Sequence, residues 1–312
     1  MKNRGFLESL RKELAPTIRE VRFSIYRLKN SPLSIVGIGI ILFFVSLAIL
    51  APVLAPPPPG WRDPYMIPHE GFSPTPKPPD DKHPFGTTQG QYDIYYGCIW
   101  GTREAFYAGL VVVGCNMLIG LIVGSIAGYY GGALDEAMMR VTDIIFAFPN
   151  LILAMALVTA FGPSLESIMK ALIVVGWPSY ARLIRGEVLS VKRNDYVEAA
   201  KAIGCSDFRV IARHILPNSI YPMLIMASLD VGSIVLTIAA LSFLGLGPPI
   251  GFADWGQLIN MSRNWIVGPP GEPFKYWYTY LIPGLFIFTF VLGWNLLGDA
   301  FRDVLDPTLR RR

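Results

Sequence analysis

Residues 33–55, LSIVGIGIILFFVSLAILAPVLA, run for 23 positions without one charged side chain. The hydrocarbon core of a bilayer takes roughly 20 residues of helix. Inside it every backbone N–H and C=O must be paired within the chain, so a run of this kind is committed to a helix. Five more stretches meet the same requirement, at 105–129, 141–161, 165–184, 220–246 and 277–297. The fourth is the most polar of them, with Glu166 and Lys170 at one end and Arg182 at the other. Only 16% of the 312 residues are charged and 52% are hydrophobic, whereas soluble domains carry about 25% charged residues. That balance excludes a disordered chain, a collagen-like chain and most soluble enzymes. The expected fold is an all-α membrane protein of six transmembrane helices.

Lysine and arginine set the orientation, because they are retained on the cytoplasmic side. With the N-terminus inside, the cytoplasmic segments hold 20 of them and the outer segments hold 6. The reverse arrangement breaks the bias more than threefold. Both termini are therefore expected in the cytoplasm, with the chain in the cytoplasmic (inner) membrane. The net charge of +4 is modest and implies no nucleic-acid partner.

Three polar segments lie between or before the spans. Residues 1–32 are basic, with Phe6, Leu10, Leu14, Val21, Ile25 and Leu28 at helical spacing. This pattern suits a helix lying on the inner leaflet, or a simple tether. Residues 56–104 form an outer loop with 11 prolines, expected to be extended or irregular. Its second half carries Tyr92, Tyr95, Tyr96 and Trp100, a pattern that fits an interfacial belt or contacts with an external partner. Residues 185–217 are too polar to insert and too long for a turn. DYVEAAKAIG reads as a helix that starts at Asp195, where negative charge suits the dipole, and stops at Gly204. SDFRVIARHILP reads as a second helix, capped by Ser206 and interrupted at Pro217.

Catalytic motifs are absent. The chain has no Gly-Lys dipeptide and hence no P-loop. His69-Glu70 is followed by Gly71-Phe72, so there is no HExxH, and there is no G-x-S-x-G elbow. The spacing of Cys98, Cys115 and Cys205 fits neither a zinc site nor a redox pair. No metal or cofactor is expected on this chain. Asp230 lies deep in the fifth span, where an acid is costly. It either lines a translocation path or is a hydrogen-bonding group between helices. A single deep acid is too few for a proton relay. Glu166 and Lys170 are expected to pair locally. Gly120, Gly124 and Gly128 repeat every four positions and allow close helix packing. Pro149 is expected to kink the third span and Pro178 the fourth.

The hairpin at 185–217 is the specific signal. Glu198-Ala199-Ala200, Gly204 and Leu216-Pro217 resemble the EAA loop of permease subunits of ABC importers. The family pattern has an aliphatic residue where His214 stands, but His214-Ile215-Leu216-Pro217-Asn218 resembles the dipeptide/oligopeptide branch. WPSYARLIRGEVL at 177–189, LSFLGLG at 241–247, NLLGDAFRDVLDPTLRR at 295–311 and HPFGT at 83–87 extend the resemblance to the second, C-type permease subunit of peptide importers. One departure follows HPFGT. Where the branch commonly reads Asp-x-x-Gly-Arg-Asp, this chain has Thr88, Gln91, Tyr92 and Asp93, keeping only the last.

The resemblance implies a type I ABC importer permease fold, with a six-span domain at 33–312 and the cytoplasmic coupling hairpin. It implies no catalysis here, ATP and Mg on two separate cytoplasmic ATPase subunits, a second homologous permease and an external solute-binding protein. By residue it assigns ATPase coupling to Glu198, Ala199, Ala200, Gly204, Phe208 and Arg209. Asp230 is the candidate for the translocation path. Di- or oligopeptides are the first expectation for substrate. Short oligosaccharides are the alternative, to which the loop aromatics would be suited. An ion-gradient-driven transporter and a scaffold without transport are the readings from other classes.

Overall fold

The computed structural model describes residues 31–305. The basic segment read as an interfacial helix lies almost wholly outside them. In the described residues the chain is helical, with only single bridges between extended segments at Met66–Phe252, His69–Tyr92 and Thr87–Asp93. Helix α1 is Pro32–Leu54. Ser31 caps it, and Pro32 occupies the first position, where a missing N–H has no consequence. Helix α2, Ile94–Tyr130, is the longest. Then come α3 (Gly132–Phe146), α4 (Asn150–Phe161) and α5 (Leu165–Val191). The hairpin contains α6 (Asp195–Ala202) and α7 (Asp207–Val210), followed by one wide helical turn (Ile211–Ile215) and α8 (Leu216–Ser219). Helix α9 is Tyr221–Phe243, α10 is Trp255–Met261 and α11 is Tyr278–Leu305.

Four of these helices, α1, α2, α9 and α11, are long and apolar enough to cross a membrane. The pair α3 and α4 reaches the same length together but is bent by 85° at the break that contains Pro149. The kink expected at Pro149 is thus a full break, which makes a fifth span or a re-entrant element. Helix α5 has 27 residues but is too polar to qualify on composition alone. Its burial comes from α2 instead, and Pro178 sits inside it without interrupting it.

Helices α2 and α5 run parallel, in a contact that glycine makes possible. Gly120 faces Tyr180, Gly124 faces Ala181 and Arg185, and Gly128 faces Arg185 and Val188. Small residues let two backbones approach in this way, so the row is used within the chain. Gly232 on α9 abuts Val291 and Trp294 on α11, and Gly293 on α11 abuts Ile40 and Ile41 on α1. Phe44, Trp255, Phe286 and Phe290 form the aromatic centre joining α1, α10 and α11.

The long loop ends eleven residues earlier than its composition suggests. Asp93 caps α2 by accepting from the Tyr96 amide at 3.2 Å, so residues 94–104 are helix. The loop packs on this extension. Trp100 donates to the Ala55 carbonyl at 2.8 Å, Tyr96 to that of Pro64 at 2.8 Å and Tyr95 to that of Leu54 at 3.3 Å. Tyr96 and Trp100 are buried. These rings hold the loop down rather than forming a belt or an external contact surface. The HPFGT string has a structural use as well: His83 Nδ1 lies 2.9 Å from Asp93, and Gly86 has φ +74° with no room for a Cβ beside Lys77 and Tyr278. Asp93, the one acid kept after this string, therefore serves both a helix cap and a histidine.

Asp254 caps α10, accepting from the Gln257 amide at 2.6 Å. Burial raises its carboxyl from an ordinary 3.8 to about 6. The folded chain thus holds this proton more tightly than the unfolded chain. The group's stabilising contribution is full below pH 3.8 and is lost as pH rises to about 6. Tryptophan-monitored melting in detergent should occur at higher temperature near about pH 5 than near about pH 7.5. Asp254→Asn, which keeps a capping oxygen, should reduce that difference. An unchanged difference in the variant contradicts the assignment.

Candidate functional site

The hairpin between α5 and α9 is built from its own sequence. Helix α6 ends in a Schellman turn: the Cys205 amide donates to the Ala200 carbonyl at 3.1 Å, and the Gly204 amide to that of Lys201 at 2.9 Å. Gly204 takes φ +84°, the left-handed conformation this turn needs and that glycine adopts without a Cβ clash. Ser206 stands at the cap position of α7, as its residue type suggests, but its side chain makes no capping bond. Pro217 does not end the helical path. The missing N–H of proline falls where the wide turn Ile211–Ile215 gives way to α8, so the path stays helical up to α9.

The hairpin is fixed to the end of α2 both near its turn and at its base. Tyr129 donates to Asp207 at 2.6 Å, and Lys201 Nζ lies 4.7 Å from the centre of the Tyr129 ring. Lys192 donates to the carbonyls of Gly128 at 2.7 Å and Tyr129 at 3.3 Å, a favourable place for a cation because the helix dipole is negative there. Arg185 bridges to Asp135 through two bonds, at 2.6 and 2.7 Å. Val197, Val210 and Ile215 are fully buried beneath.

The six residues assigned to coupling divide by position. Ala200 is buried. Glu198, Ala199, Gly204, Phe208 and Arg209 are exposed. Phe208 is 81% exposed and Ile203 82%, and Tyr196 is also exposed on the same hairpin. Sequence reasoning missed Ile203 and Tyr196, and it missed the anchors Tyr129 and Asp207. The signal for Ile203 and Tyr196 was an apolar residue in a polar hairpin; Tyr129 and Asp207 had none.

Asp230 is remote from the hairpin tip. Tyr180 on α5 donates to its Oδ2 at 2.7 Å, so it joins α9 to α5. Tyr180 is itself buried, and a phenol in the polar fourth span was its only sequence signal. Glu166 and Lys170 pair at 3.5 Å, as their spacing suggests. No group of three or more His, Cys, Asp or Glu side chains among the described residues is arranged to hold a metal ion.

Known proteins carry the same pattern. Residues 120–311 match the family model described as binding-protein-dependent transport system inner membrane component. Residues 22–76 match that of the N-terminal TM domain of oligopeptide transport permease C. A dipeptide transport system permease protein of Alkalihalophilus pseudofirmus is 37% identical over 284 residues, 91% of this chain and 88% of that protein. A probable D,D-dipeptide transport system permease protein of Escherichia coli is 38% identical over 293 residues, 93% of each. An oligopeptide transport system permease protein of Bacillus subtilis is 34% identical, with 91% and 88% covered. Among solved structures, a chain of the inward-facing MetNI methionine ABC transporter superposes with a TM-score of 0.53 at 17% identity. That superposition covers 67% of this chain and 96% of the other, and it establishes likeness of fold.

Proposed function

This chain belongs to the family of binding-protein-dependent transport system inner membrane components, and on that premise we propose that it forms half of the translocation path of an ATP-driven importer of di- and oligopeptides. It is a multi-pass permease subunit of the inner membrane and not an enzyme. ATP and Mg belong to two separate ATPase subunits, and an external binding protein delivers the substrate. The other half of the path is a second, homologous permease. The hairpin end of the bundle and both termini face the cytoplasm, in keeping with the charge bias.

One observation carries the coupling role: the hairpin is rigid at its base and apolar at its tip. A solvated connecting loop gains nothing from exposing Phe208 and Ile203 together. An aromatic anchor entering a pocket on a partner is the usual centre of a protein interface. With Lys192 tying its base to α2 and Tyr129 holding Asp207 beside the tip, the hairpin transmits movement of the ATPase to the helix packed along α5. Tyr180 holds Asp230 between α9 and α5, which is the interhelical link; its assignment to the path rests on the cost of an acid at that depth.

Peptide rather than sugar is supported by the names of the relatives and by the aromatics. Of the four rings that would suit a sugar, Tyr95, Tyr96 and Trp100 are hydrogen-bonded to the chain's own backbone, and Tyr92 packs against His69. The test is uptake into proteoliposomes holding the native complex, with a labelled dipeptide and a labelled trisaccharide offered separately. Dipeptide uptake that needs ATP and survives collapse of ion gradients is expected. Uptake driven by a gradient without nucleotide, or of the trisaccharide alone, contradicts the reading.

A further inference from the structure

At the loop end of the bundle a cavity of about 620 Å³ opens between α2, the start of α5 and the segment joining α9 to α10. Its volume falls in the range for small organic ligands, roughly 300–1,000 Å³. Tyr65, Tyr107, Met169 and Phe252 supply apolar walls. The Tyr65 ring stacks on Phe252 with centroids 5.7 Å apart and meets Trp100 edge-on at 5.6 Å, so this wall is firm.

Into this apolar setting the chain puts carboxylates. Glu104 lines the cavity and is only 4% exposed. Its Oε1 is buried without a hydrogen-bond partner. The nearest cation in sequence, Arg103, turns away and lies 5.2 Å from the centre of the Trp100 ring. Asp254, buried beside it, is a second acid and brings no cation to pair with the first. Asp63 and Glu166 lie at the mouth. A buried acid without a partner is costly, and an incoming cation that pairs with it recovers that cost. An isolated metal ion fits poorly, since no three ligating side chains converge. A lone basic side chain from a neighbouring protein would leave much of the volume and its apolar walls unused.

We propose that this cavity binds the ammonium group of a small amphiphilic amine, with Glu104 as the counter-ion and the Tyr65–Phe252 wall taking the apolar part. Resting on the peptide-import reading, the natural ligand is the free N-terminal amine of a short peptide with an apolar first residue, held at the mouth of the path. Glu104 thus selects peptides with an unblocked amine.

The test is calorimetric titration of the detergent-extracted native complex with 2-phenylethylamine, leucyl-phenylalanine and N-acetyl-leucyl-phenylalanine. Glu104→Gln keeps the shape and relieves repulsion with Asp254, so it should fold. It should weaken the two free amines by about 30-fold or more, as expected for losing one partner of a buried charge pair, and leave the acetylated peptide unchanged. Glu166→Gln, at an exposed rim position, should cost about twofold and serves as a second folded variant. Equal amine affinity in wild type and Glu104→Gln overturns the site, and peptide uptake persisting in that case leaves the import reading standing. Glu104-dependent amine binding without ATP-dependent peptide uptake overturns the import reading and leaves the amine site alone. Loss of the second permease from Glu104→Gln complexes, with amine affinity unchanged, assigns the pocket to a partner's basic side chain and likewise overturns the proposal.

Discussion

Gly124→Ala should stop α2 and α5 from closing on each other. A Cβ at Gly124 would overlap the carbonyl oxygen of Ala181 and press on the Arg185 amide at 3.1 Å. Both are backbone atoms of a continuous helix, so no side chain can rotate out of the way. Overpacking of this kind costs about 3 kcal/mol or more. The cost falls on the most extensive helix contact in the molecule and on the base of the hairpin, because Arg185 also holds Asp135. Gly114 on the same helix has open space around its Cβ position, and Gly114→Ala should melt no lower than wild type. Equal melting of the two variants in detergent contradicts the packing described above.

Gly204→Glu should give the largest functional loss with the smallest structural one. Gly204 faces open space, so a side chain meets no obstacle and insertion should be normal. Its φ of +84° is what an L side chain resists, at roughly 1–2 kcal/mol. The two bonds of the Schellman turn depend on that conformation, and they set the direction in which α7 presents Phe208. A new charge also lands beside an apolar contact surface. ATP hydrolysis stimulated by peptide should fall to the unstimulated rate, with the chain present in membranes at its normal level. Hydrolysis that still responds to peptide contradicts the coupling role.

Much of this was readable from residue spacing, because membrane helices follow length and polarity so closely. The hairpin was readable for a different reason: Asp195 and Gly204 are start and stop residues whose effect is local, while Ser206 marks the start of α7 without a capping bond. What escaped the sequence depended on contacts distant along the chain. Residues 94–104 mix tyrosines, an arginine and a glutamate, which reads as loop; they become helix because the loop before them and α10 cover them. Tyr96 and Trp100 have the composition of an interfacial belt, and only their bonds to the Pro64 and Ala55 carbonyls show them turned inward. Pro149, Pro178 and Pro217 carry the same residue type and gave a break, an uninterrupted helix and a passage between helical turns. The difference lies in what packs around each one. Glu104 was read as the last residue of a loop, and its burial follows from the fold of segments 63–67 and 253–258 over α2.

The central claim is that the exposed hairpin tip is where a separate ATPase attaches. The most direct measurement is gentle detergent purification of tagged chain from its native membrane, wild type beside Phe208→Asp, with co-purifying proteins identified by mass spectrometry. Wild type should recover a second permease together with ATPase subunits, while Phe208→Asp should keep the permease and lose the ATPases. Recovery of wild-type chain alone under conditions that preserve other membrane complexes, or equal recovery of ATPase by both forms, would contradict it.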